Sequence, residues 1–219
     1  MPTTKDVDER PIIFNDWSIN RILAGEKTQT RRIVQPQPPD DINEPFWDDE
    51  GQEWQANHDT RQNGRPMTLP RWTAECPYGQ PGAWLWVREA FRLPEWAEDM
   101  SPTEWVDRAA VRTVQFPADG EKIAQNGGDV GRTQFGRKRP SIHMPRELSR
   151  IRLRVETVRV ERVQSITEAD AESEGIVYGK DAVGSAKIAF RRLWKSIHGD
   201  GAWERNDWVW VVEFSRLEP

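Results

Sequence analysis

One cysteine, three histidines and two tyrosines occur in 219 residues. Cys76 cannot close an internal disulfide by itself, which predicts a reducing, cytoplasmic setting. The histidines are scattered and no second thiol exists, so no metal-ligand spacing appears and neither metal nor cofactor is expected. No run approaches the roughly 18 apolar residues that a membrane helix needs, and the first residues lack the apolar segment of a signal peptide. A membrane partner is therefore not expected, and oligomeric state is not legible.

Charge is plentiful instead. Lys and Arg number 31 and Asp and Glu 36, a net −5, with 36 % hydrophobic residues. That is the profile of a globular chain with a modest core. The charges are unevenly spread. Residues 40–60 hold eight acids and no Lys or Arg, whereas residues 131–165 hold ten bases and three acids, a local net of +7. The basic stretch reads either as one face for an anionic ligand or as strand arginines paired with acids elsewhere. Twelve tryptophans against two tyrosines fill a core short of other large residues, or a few of them line a pocket and stack on a ring.

In order, residues 1–10 read as a disordered tail and 11–219 as one domain with insertions at about 36–80 and 93–138. Pro11 to Phe14 is a short strand, and Asp16 to Ala24 a helix with Asp16 as its cap and Gly25 as its stop. Thr28 to Val34 is a strand ended by a proline-rich run. From Asp40 to Pro81 no period holds, so little regular structure is predicted there. Trp84 to Phe91 alternates with Leu85, Val87, Glu89 and Phe91 on one face. A helix around Pro102 to Ala110 and a turn at Asn126 to Asp129 fall in the second insertion. Pro140 and Pro145 lock a loop that presents Ser141, His143 and Arg146. Ile151 to Val163 is the longest strand, and its apolar phase changes between Val155 and Val158. A bulge there would bend it, as a small barrel requires. Ser165 to Glu168 reads as a capping box opening a helix to about Glu174. Ser185 to His198 is an amphipathic helix, and Trp208 to Phe214 a strand buried on both faces.

Chemistry concentrates in Gly25-x-Lys27-x-x-Thr30-x-Arg32. A threonine hydroxyl is a weak nucleophile that needs a base beside it. A lysine serves only where burial or a cationic neighbour such as Arg31 or Arg32 lowers its pKa. Strict alternation would put Lys27 and Thr30 on opposite faces, so joint action requires Lys27 to lie in the turn. Glu89, on an apolar face, is either paired with a core arginine or part of a site.

The motif resembles that of the ASCH domain family, a branch of the PUA-like fold. The Trp84-Leu85-Trp86-Val87-Arg88-Glu89 strand, Ser141 to Arg146, the helix Thr167 to Gly175 and the closing Trp208 to Phe214 strand look like the longer ASCH-like proteins of phages and prophages. The likeness covers about residues 11–34, 80–92 and 139–216. It implies an α+β fold around a small mixed PUA-like barrel with flanking short helices. The family's usual pattern has a glutamate where this chain has Thr30. Members with threonine there are similar in that position to bacterial amidohydrolases that deacetylate N4-acetylcytidine. The resemblance then implies Lys27 as base, Thr30 as nucleophile and Glu174 as the third member. Arg32, Trp86, Arg88, Glu89, Ser141, His143 and Arg146 are the candidates for holding substrate, a modified nucleoside or single-stranded RNA or DNA. Other relatives are suspected RNA binders or nucleases, so a non-catalytic binding module is the alternative. In that case Lys27 and Glu174 form a plain ion pair tying motif to helix.

Overall fold

A computed structural model describes residues 8–40, 42, 44–50, 52–56, 72–108, 112–125, 130–176 and 184–217. In chain order the elements are β1 (Glu9–Ile13), α1 (Asp16–Leu23), β2 (Gln29–Ile33), β3 (Phe46–Asp48), β4 (Glu53–Ala56), β5 (Trp72–Ala74) and β6 (Trp84–Arg88). There follow α2 (Pro102–Arg108), β7 (Arg112–Gln115), β8 (Lys122–Gln125), β9 (Arg152–Arg162), α3 (Glu168–Ser173), α4 (Ala186–His198) and β10 (Trp208–Arg216). The fold is mixed α and β with a sheet-rich core. It divides into two compact units, one of Met1–Gly25, Trp84–Arg154 and Arg216–Pro219, the other of Glu26–Ala83 and Val155–Ser215.

In the first unit β1 pairs in parallel with β6, Glu9 opposite Trp84 and Ile13 opposite Arg88. Glu9 and Arg10, expected in a disordered tail, are thus ordered by ladder bonds; residues 1–7 lie outside the described residues. β6 pairs antiparallel with the start of β9, Leu85 opposite Leu153. Asn15, not Asp16, caps α1, its Oδ1 accepting from the Ser18 N–H at 2.9 Å. Asp16 lies inside the first turn, where its charge suits the positive helix end. The second insertion is more regular than its sequence suggests. α2 and a β7–β8 hairpin, Val114 opposite Ile123, enclose Phe91, Leu93, Trp105, Phe116, Met144 and Leu148. The tight turn uses Gly120 at φ 78°, a conformation that costs glycine nothing. The expected turn at residues 126–129 lies outside the described residues.

In the second unit β10 lies between the rest of β9 and β2, and Trp210 of β10 stands opposite Arg32 and Val212 opposite Thr30. Helices α3 and α4 bury Ala171, Phe190 and Trp194 with Val209 and Val211. The first insertion, expected to be irregular, makes a three-stranded antiparallel sheet β3-β4-β5. Its Trp54 and Trp72 rings meet Trp210 at centroid distances of 6.0 and 6.4 Å. Burial of these indoles, rather than any sequence period, holds the small sheet. α3 is capped by Thr167 with Asp170 in a reciprocal box, two residues later than the Ser165 expected, because Val163–Ser165 forms a 3₁₀ turn. Burial along β9 changes phase between Val155 and Val160, where the sequence asks for a slip. No closed barrel forms among the described residues. There β1 pairs with β6 alone and β2 with β10 alone, so the sheet keeps edges where a barrel would pair them.

Candidate functional site

The second unit assembles the motif from three short pieces of backbone. Lys27 and Glu174 make an isolated antiparallel bridge. The Thr28 N–H donates to the Ser173 carbonyl at 2.9 Å, and the Thr28 carbonyl accepts from Phe214 at 2.8 Å. Lys27 is therefore fixed between the end of α3 and β10. Glu174 is the C-cap of α3, followed by Gly175 at φ 89°. Carbonyls at a helix end have no partner within the helix, and that of Glu174 accepts from the Lys27 ammonium at 2.9 Å.

The ammonium also donates to Glu174 Oε2 at 2.7 Å and to the Gln29 carbonyl at 2.8 Å. Three donors thus meet three acceptors. Lys27 is 5 % exposed and Glu174 4 %. Burial is the main force on Lys27 and, with Arg32 and Arg31 adding repulsion, holds its pKa below the ordinary lysine value against the pull of Glu174. Arg31 extends the network. Its guanidinium lies 3.5 Å from Glu174 Oε1, 3.4 Å from Glu161 and 3.3 Å from Asp170. Arg159 joins Asp170 at 2.8 Å, Glu161 at 2.5 Å, and Glu213. Burial pushes Asp170 upward, but bonds from Thr167 and the charges of Arg31 and Arg159 bring its pKa below the usual carboxylate value. Gln29 Oε1 accepts from the Arg159 guanidinium at 3.2 Å. Gln29 Nε2 and Arg31 Nε are buried with no hydrogen-bond partner among the described residues.

Thr30 is also buried, at 4 % exposed. Successive side chains of a strand alternate, and Arg31 reaches Glu174, so Thr30 shares the other face of β2 with Arg32. Lys27 follows the parity of Gln29 and Arg31 instead of lying free in a turn. The structure therefore joins Lys27 to Glu174 and sets Thr30 on the opposite face of β2. Around Arg32 stand two groups that the sequence does not single out. Burial lowers the pKa of His198 and the Arg32 charge adds to that, whereas burial raises that of Tyr78 and the Arg32 charge opposes it. His198 packs against Trp194, the rings tilted by 44° at 4.2 Å between centroids. No spacing links Tyr78, His198 and Arg32 in sequence, so only the fold reveals them.

The other substrate candidates lie in the first unit. Glu89 is fully buried, and Arg150 grips both its oxygens at 2.9 Å. Burial raises the Glu89 pKa against the pull of Arg150. Arg150 also bonds Asp119 at 2.8 Å and Glu121, and lies over Phe116 at 4.1 Å. The Glu89 carboxylate is thus paired, with Arg150 as its partner. Arg88 covers the half-buried Trp86 ring at 5.4 Å and donates to the Ile142 carbonyl. Arg146 forks onto Glu9 through Nε and Nη2 at 2.8 and 2.5 Å. His143 is exposed. Ser141 lines an open cleft of about 470 Å³ with Phe14, Trp17, Asp16 and Lys138. The locked loop is in fact two 3₁₀ turns, Ser141–His143 and Arg146–Leu148.

Among the described residues about half of the basic stretch is paired with acids: Arg137, Lys138, Arg146, Arg150 and Arg159. Lys138 meets Asp16 at 2.5 Å and Arg137 meets Glu98 at 3.7 Å. Arg152 lies over Trp84 and Arg162 over Trp208, at 5.4 and 4.2 Å. Among the described residues no group of three or more His, Cys, Asp or Glu could hold a metal ion, and no helix is long and apolar enough to cross a membrane. Compared with protein-family models, with curated proteins and with solved structures, the chain finds no match.

Proposed function

We propose that this chain is an ASCH-like protein of the PUA-like kind that hydrolyses the amide of an N4-acylated cytidine or a related modified base. The observation that carries the reading is the buried Lys27–Glu174 contact at 2.7 Å, with Thr30 three residues along in the motif. A buried lysine of lowered pKa beside a carboxylate is the kind of perturbed pair that marks acid–base sites. In the reaction the Lys27 proton shifts to Glu174 Oε2, leaving a neutral amine. Thr30 Oγ attacks the acyl carbon and its proton passes to Lys27. The bond from carbonyl carbon to N4 then breaks and N4 takes that proton, releasing cytidine. Water hydrolyses the Thr30 ester and frees the carboxylic acid. A turn of the Lys27 side chain out of its three-bond cradle toward Thr30 is part of this proposal. A cytoplasmic setting goes with the reading, as does a nucleoside or short single-stranded ligand.

A second reading has its own support. All three ammonium donors are satisfied, and Thr30 lies across β2, which suits a module that binds a modified base without cleaving it. Incubation with N4-acetylcytidine, followed by chromatography for cytidine, separates the two. Release of cytidine supports hydrolysis, and binding without release supports the module.

A further inference from the structure

We propose a second ligand site in the first unit, a cleft that takes a guanine nucleotide by stacking the base on Trp96. Most tryptophans described here are buried or half-buried, yet Trp96 is 72 % exposed. An exposed indole held in place is a ready surface for a planar ring. Trp96 is held. The buried Trp105 meets it edge to face at 4.9 Å, and Trp105 is anchored in the cluster of Phe91, Leu93 and Phe116.

The cleft beside it measures about 570 Å³ and is lined by Glu95, Trp96, Arg132, Thr133 and Gln134. That is within the range of small-molecule sites. Its two walls are fastened to each other. The Glu95 N–H donates to the Gln134 carbonyl at 2.9 Å, that of Gly136 to Leu93 at 3.0 Å, and Pro94 bridges to Phe135. The lining groups are thus presented by fixed backbone.

Among the described residues neither Glu95 nor Arg132 forms an ion pair, although the nearby Glu98 and Arg137 pair with each other. One wall therefore offers a ring face and an unused carboxylate, the other an unused guanidinium with Thr133 and Gln134. A ligand that answers all three has a flat ring, a donor edge and an anion. Guanine presents its ring N–H and exocyclic amine side by side, a pair that a carboxylate accepts. Adenine places a ring acceptor there, which a carboxylate repels. A phosphate matches the guanidinium fork. The cleft fits a guanine nucleotide better than an adenine one. This site does not depend on the amidohydrolase reading, since none of its residues belongs to the Lys27 motif.

The test is isothermal titration of the full chain with GMP, AMP and guanosine. GMP should bind at least about tenfold tighter than AMP. Trp96→Ala should weaken GMP about tenfold or more, as loss of one base stack does. Glu95→Gln should remove the preference for GMP over AMP, and Arg132→Gln the preference for GMP over guanosine. All three side chains are exposed, so the variants should melt with the wild type. Absence of GMP binding at millimolar concentration, or binding unchanged by Trp96→Ala, overturns the site. Equal binding of GMP and AMP overturns the guanine assignment.

Discussion

Lys27 Nζ and Glu174 Oε2 stand 2.7 Å apart across an isolated bridge that joins residues 147 positions apart in the chain. Removing Glu174 leaves the buried Lys27 ammonium without its counter-charge, and removing Lys27 leaves Glu174 only the longer contact with Arg31 at 3.5 Å. Lys27→Met or Glu174→Leu alone should each cost about 3–5 kcal/mol, and the double variant much less than the sum. Urea unfolding of the four proteins measures this. Additive losses would mean that the pair is not energetically coupled.

The same pair sets a pH dependence. Folded Lys27 has a lowered pKa, so between that value and the unfolded one the unfolded chain holds the extra proton. Stability should therefore rise with pH through this window. Any activity that needs the neutral amine should rise as pH approaches the folded value and level off within this window. A Lys27→Met protein should lose this part of the stability rise. A rise of the same size in wild type and variant, measured by urea titration at stepped pH, would assign it to other groups.

In the first unit Arg150 neutralises Glu89, which has no exposure. Arg150→Met should cost about 3–5 kcal/mol, whereas Arg137→Ala, on the surface, should cost under about 1 kcal/mol. Burial already raises the Glu89 pKa, and loss of Arg150 raises it further. A group raised in the folded state holds its proton where the unfolded chain does not. The variant should therefore regain stability as pH falls toward the ordinary carboxylate range, seen as a smaller gap to wild type in denaturant midpoint. A gap that widens on acidification would contradict this.

How far the sequence reveals this arrangement differs from element to element. The α4 stripe, the buried β10 run and the inward face of β6 follow from local periodicity, and the structure has them. β3, β4 and β5 have no such signal, because their stability comes from Trp54 and Trp72 meeting Trp210 more than 130 residues away. The Lys27–Glu174 contact is legible only through the family resemblance, since a bridge of two residues leaves no period. The cap of α3 moves to Thr167 because a 3₁₀ turn uses the residues before it, and propensity does not distinguish those two helices.

The tryptophan cluster yields its own expectation. Trp210→Ala removes the ring on which Trp54 and Trp72 pack and should cost about 3–5 kcal/mol. Nuclear magnetic resonance of the β4 and β5 amides should show their protection from exchange lost first. Protection kept in those strands would mean that they are held by something other than this indole.

Pairing of the basic stretch with acids bears on ligand size. Each phosphate neutralised on a single strand lowers log K by about 0.7 per unit of log salt. With Lys138, Arg146, Arg150 and Arg159 already in ion pairs, a single-stranded RNA titration should give a slope shallower than about −0.7. A slope of about −1.4 or steeper would show at least two phosphates engaged and favour a polynucleotide ligand.

The most direct measurement is turnover of N4-acetylcytidine by four proteins in parallel: wild type, Thr30→Val, Lys27→Met and Glu174→Gln. Each is checked for fold by circular dichroism and for nucleoside binding by titration. The account predicts cytidine and acetate from the wild type, and a loss of at least about a hundredfold in folded Thr30→Val and Lys27→Met proteins that still bind the nucleoside. A wild type that binds N4-acetylcytidine yet releases no cytidine, or a Thr30→Val protein as active as wild type, would contradict it.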